Sequence, residues 1–102
     1  MGKFANRMMS SEQTLRITVA ALMKACGENQ TGLAKGLRIS QGQVSRKQSG
    51  EASWSLGDLD RLSRHYGIPV PDLLAGPTHA AQMLSPARMT EVIGGKQEVI
   101  KV

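Results

Sequence analysis

Between Ser40 and Gly50 the chain reads SQGQVSRKQSG, with Gln41, Gln43, Arg46, Lys47 and Gln48 around one aliphatic residue, Val44. Gln and Arg side chains can each make two hydrogen bonds at once in a fixed geometry. The amide matches adenine N6 and N7 in a major groove, and the guanidinium matches guanine O6 and N7. Ser40 is a good N-cap and Gly50 a good C′ residue, so the stretch predicts a short helix. At about 100° per residue, Gln41, Gly42, Ser45, Arg46 and Ser49 share one broad face, while Val44 points the other way with Gln48 beside it. A core helix is not built like that. A merely solvated helix usually carries Glu and Lys, chosen for helix propensity. Gly42 leaves the polar face bare for close approach, and the absence of Asp and Glu from residues 29–50 removes repulsion from phosphates.

The 102 residues suit one small domain with a tail, and the net charge of +5 is unevenly placed, +6 in residues 1–50 and −1 in residues 51–102. Charge alone fits a solvated face as well as it fits nucleic acid, anionic lipid or an acidic protein. The single Cys26 has no partner for an internal disulfide, and it falls on an apolar helical stripe, as a small buried hydrophobe would. No apolar run approaches the roughly 18 residues of a membrane span, and the N-terminus lacks a signal-peptide core. A cytoplasmic protein without membrane contact is expected. His65 and His79 stand alone without a second ligand at metal spacing, and no nucleophile–base–orienter set can be assembled. Gly94-Gly95-Lys96 lacks the strand and spacing of a phosphate loop. The expectation is therefore no cofactor, no metal and no enzymatic activity.

The elements that must position the opening stretch follow from caps and periodicity. Residues 1–10 form a basic N-terminal arm ending at Ser10, which makes a capping box with Gln13. Leu15, Val19, Leu22, Met23 and Cys26 then recur at spacings of three and four, predicting helix 1 over 11–26 with a stop at Gly27. Asn29 caps a second helix running to Leu37, with Leu33, Ala34 and Leu37 on its inner face. Arg38 and Ile39 alone separate it from the cap of helix 3, which forces an angle between the two. Ser55 with Asp58, and Trp54 with Leu59, predict a capping box and a hydrophobic staple for helix 4, which stops at Gly67. Pro71 opens a single turn, PDLLA, closed by Gly76-Pro77. The fold class is all-α: a compact five-helix domain over 11–76, then a tail over 77–102. A short helix starts the tail at Ser85-Pro86, and a weakly alternating strand, QEVIKV, ends it.

Residues 29–50, NQTGLAKGLRISQGQVSRKQSG, resemble the helix-turn-helix of the lambda repressor/Cro-like family of phage and bacterial transcriptional regulators. Ala34 stands where that pattern needs a small residue for a close helix crossing, and Val44 stands where an aliphatic residue packs into the crossing. The resemblance continues through HYGIPVPDLLAG, residues 65–76, and covers roughly 11–76. Arg38 replaces the usual turn glycine, at a cost of about 1–2 kcal/mol if it is left-handed. Lys47 replaces a usual apolar residue, which places its stem on the core and its ammonium in solvent.

The resemblance implies roles. Gln41, Ser45 and Arg46 would read bases, with Gln30 bracing Gln41. Asn29, Gln30, Lys35, Gln43, Lys47 and Ser49 would contact phosphate. The implied partner is double-stranded operator DNA, bound by a homodimer assembled at least partly through residues 77–102. The alternative reading is an antitoxin-like or adaptor protein whose tail binds a protein partner.

Overall fold

The computed structural model describes residues 9–88, and these are helical and joined by tight turns, with no strand among them. Helix α1 spans Ser11–Ala25, α2 Gln30–Leu37, α3 Gln41–Ser49, α4 Leu56–Tyr66, α5 Val70–Leu73 and α6 Pro77–Gln82. The expected C-terminal strand at 97–102 and the arm residues 1–8 lie outside the described residues.

The starts of the helices are set by side chains that satisfy the free N–H groups of the first turn. Ser10, Ser40 and Ser55 each form a reciprocal capping box with the residue three positions on: Gln13, Gln43 and Asp58. Asn29 caps α2 by accepting a hydrogen bond from the Gly32 N–H at 2.8 Å. The stops are left-handed residues at Arg38, Gly50 and Gly67. Arg38, with φ 62° and ψ 41°, is the one non-glycine residue with positive φ among the described residues. The turn keeps the left-handed geometry although the residue carries a Cβ.

The periodicities place the core. Leu15, Val19 and Leu22 of α1, Leu33, Ala34 and Leu37 of α2, Leu59, Leu62 and Tyr66 of α4, Ile68 and Leu73 form one buried cluster with Val44. Thr18 lies on the same stripe of α1, and its buried hydroxyl donates to the Thr14 carbonyl at 2.8 Å. The main helix contacts run in a closed circuit: α1 on α3, α3 on α2, α2 on α4, α4 on α5, α5 on α6 and α6 back on α1.

That last contact corrects the expected boundary at residue 76. Gly76-Pro77 is a start as well as a stop, because Pro at the first helical position pre-sets φ and gives up no hydrogen bond. The helix it opens turns Ala80 inward, and Leu84 follows one turn later. Both are buried in the shared core. The packed unit therefore contains a sixth helix. Residues 77–84 are part of the domain rather than of a detached tail, and 86–88 are helical beyond them.

Arg38→Gly should stabilise the protein by about 1 kcal/mol, because glycine enters the left-handed region without the Cβ clash. A urea denaturation midpoint that fails to rise, with unchanged slope, would show that the Arg38 side chain repays the strain through contacts of its own.

Candidate nucleic-acid interface

Helix α3 contributes one buried residue, Val44, and its remaining faces are polar. Full burial of one such side chain is worth roughly 1.5–3 kcal/mol, too little to fix the orientation of a nine-residue helix. Polar bonds supply the rest. Gln48 donates from Nε2 to the Arg16 carbonyl of α1 at 3.1 Å and accepts from the Trp54 indole N–H at 3.0 Å. Both ends of one amide are thereby used to pin α3 to α1 and to the loop before α4.

Lys47 forms the second clamp. Its ammonium makes a short ion pair with Asp58, donates to the Ser53 carbonyl at 3.3 Å and sits 5.7 Å from the Trp54 ring centroid. The Lys47 side chain is 16 % exposed, so the expected solvent-facing ammonium and phosphate contact are not what the structure holds. Asp58 is a capping residue of α4 and a counter-ion at once, and that double use draws the lysine inward.

Two further expected phosphate contacts also have structural work. Gln43 Oε1 accepts from the Ser40 N–H at 2.9 Å, completing the cap of α3. Ser49 donates to the Arg46 carbonyl at 3.1 Å, beside Glu51, at the negative end of the helix dipole. That end repels an anion, so Ser49 is a poor phosphate ligand. Asn29 is likewise occupied through its side-chain oxygen.

The other expected residues converge. Gln30 and Gln41 open α2 and α3, and the Gln41 Nε2 donates to Gln30 Oε1 at 2.8 Å. The bond joins the N-termini of the two helices, where the dipoles present partial positive charge. Gln41 and Arg46 are exposed and Ser45 is half-buried on the same face. The Arg46 guanidinium folds back over Gly42, whose missing Cβ would stand 3.5 Å from Nη1. Lys35 and Arg46 have no ion pair among the described residues. The interface is thus a shallow polar face with positive charge, and residues 29–50, which build it, carry no carboxylate.

Behind it, Glu28 ties the α1–α2 loop to α4. Its carboxylate bonds His65 Nε2 at 2.8 Å and accepts a short hydrogen bond from the Tyr66 hydroxyl. Gly36 allows this approach of α2 to α4, since a Cβ there would lie 2.3 Å from the His65 ring. Burial pushes the Glu28 carboxyl upward, but the hydrogen bonds from His65 and Tyr66 and the charges of His65 and Arg88 outweigh it, so its pKa is lowered. Burial likewise raises Asp58, and the Lys47 and Ser55 hydrogen bonds and the Lys47 charge bring it below the usual range. Tyr66 is held far above its ordinary value by burial and by Glu28.

Neither Gln48 nor the Lys47–Asp58 pair was assigned a supporting role from sequence. Trp54 six residues after Gln48 was the available signal for the first: a buried indole N–H needs an acceptor.

The lowered carboxylates have a sign. A carboxyl whose pKa is depressed in the folded state stabilises it above the unfolded pKa of about 4, and the stabilisation is lost as pH falls through the folded value. The melting temperature should therefore drop as pH is lowered from 5 toward 3 (about the carboxylate range). Asp58→Asn should lower stability at neutral pH and flatten that acid-side slope. Thermal melts of both proteins across this range check it, and parallel slopes would remove Asp58 as a contributor.

No curated protein and no solved structure matches the chain. A family model, the BetR domain, matches residues 11–99. That span takes in every helix from α1 to α6 and with them the whole polar face, and the chain belongs to the BetR domain family.

Proposed function

We propose that this protein is a sequence-specific regulator of transcription that binds double-stranded DNA and is not an enzyme. In this reading α2, the Arg38–Ser40 turn and α3 are a helix-turn-helix of the lambda repressor/Cro type, with α3 in the major groove. The observation that carries it is the Gln30–Gln41 amide pair. One amide N–H of Gln41 is committed to Gln30, which orients the group, and its oxygen and second N–H have no hydrogen bond among the described residues. That is the acceptor–donor pair an adenine edge requires.

Three further features support the reading. The face around Gln41 is free of acid, as a phosphate-lined groove demands. Gly42 leaves it without a protruding side chain. The Gln48 and Lys47 clamps hold the helix from behind, so base-reading side chains need not also hold the fold. Gln41, Ser45 and Arg46 are the proposed base readers, with Gln30, Lys35 and the first turn of α2 against phosphate. The working form is a homodimer in the cytoplasm, because one recognition helix reads too few base pairs and relatives with this motif pair two half-sites about one turn apart.

Selection of bound duplexes from a random pool, followed by titration of the winner at several salt concentrations, tests the proposal. A common half-site repeated with two-fold symmetry, and affinity whose logarithm falls steeply with log salt, are expected. Recovery of no common sequence would defeat it.

Two variants make the assignment residue-specific. Gln41→Ala should cost about 1–3 kcal/mol on the selected site and relax preference at one base position. An unchanged selected sequence would remove Gln41 as a reader. Gly42→Ala should separate folding from binding. The added methyl meets ordinary van der Waals contact within the protein, and alanine in a helix is favoured over glycine by roughly 0.5–1 kcal/mol. The variant should melt higher yet bind its site more weakly. A gain or no change in affinity would mean that this part of α3 does not approach the bases closely.

A further inference from the structure

Between the C-terminal end of α2 and the outer face of α4 lies a cavity of about 550 Å³, lined by Gly36, Leu37, Arg38, Arg61, Arg64 and His65. Three arginines line it, from two different elements. Among the described residues none of the three side chains makes an ion pair or hydrogen bond, and no carboxylate lines the cavity. Glu28, which bonds the lining residue His65, is engaged with His65 and Tyr66.

We infer that this cavity is a binding site for a multiply charged phosphate group, such as that of a phosphate ester or a pyrophosphate. The charge requires a counter-ion, and guanidinium forks match phosphate oxygens two at a time. The volume exceeds that of a single phosphate and falls within the range of small-ligand pockets. Arg38 supplies an independent argument. It holds left-handed backbone, with φ 62°, at a position where glycine would be unstrained. Strained backbone is retained where the side chain it places has a use, and here it places a guanidinium at the cavity. His65 forms the remaining wall, fixed by Glu28 on one side and by the bare backbone of Gly36 on the other. The inference stands whether or not the polar face of α3 binds DNA.

The test uses the full chain and inorganic pyrophosphate as probe, followed by calorimetry and by proton NMR of the imidazole rings. The chain has two histidines. His65 lines the cavity, whereas His79 is paired with Asp72 on another element. Saturable binding is expected, shifting the His65 resonances and leaving those of His79 in place. Arg61→Ala/Arg64→Ala should weaken binding by about tenfold or more; both side chains are exposed, so their removal leaves the core intact. Arg38→Gly should also bind more weakly while melting no lower than the parent, which separates loss of a ligand contact from loss of fold.

Equal pyrophosphate affinity in the double variant, or an unmoved His65 signal at saturation, would overturn the inference; the second readout needs no variant. Duplex DNA identifies the source of the phosphate. A double variant that loses duplex and pyrophosphate affinity together assigns the cavity to the nucleic-acid backbone. One that loses pyrophosphate alone assigns it to a free phosphate compound.

Discussion

Helix α3 must keep a polar face outward while having a single aliphatic side chain, Val44, to bury. Everything around it answers that constraint. Hydrophobic burial is non-directional and, for one valine, weak; directional bonds set the rotation of the helix about its axis. Gln48 bridges to the α1 backbone and the Trp54 indole, and Lys47 reaches Asp58, the residue that also caps α4. Removing one partner of such a set leaves a buried polar group unsatisfied, which costs more than the bond contributed. The rear of α3 is therefore less tolerant of change than its composition suggests. The front is freed from structural duty.

Most of this architecture was legible in the sequence because it is written in local rules. Ser10, Asn29, Ser40 and Ser55 cap where they were expected to cap, and most of the stripes of α1, α2 and α4 is buried where spacing placed it; Met23 and Cys26 are only half-buried, and Leu56, at the first position of α4, is exposed. These signals act within four residues and depend little on the rest of the chain. Gln41 and Gln30 also meet as the family resemblance implied.

What was not legible depends on residues distant in sequence. Lys47 reads as a surface cation until Asp58 is folded next to it, eleven positions on. Helix α6 hides behind a Gly-Pro pair that is as good a stop as a start, and its Ala80 and Leu84 carry too short a pattern to announce a buried face. Only their packing against α1 makes sense of them. The basic cavity has the same origin: Arg38 lies in a turn and Arg61 and Arg64 on a later helix, and nothing local in the chain joins them.

The closed circuit of helices also orders the folding process. Residues 10–50 can form α1, α2 and α3 from contacts close in sequence, but Val19 and Ala80 are roughly 60 residues apart. Closing a loop of that length costs about 3–4 kcal/mol in chain entropy, beyond a constant term, before any contact is gained. On the ribosome α1 emerges first and α6 last. Part of the α1 stripe must therefore wait, uncovered, until nearly the whole domain has been made, and the closing step falls to the shortest and least strongly capped segments, α5 and α6. The rate of that step, rather than formation of α2 and α3, sets how long a nascent chain carries exposed apolar surface.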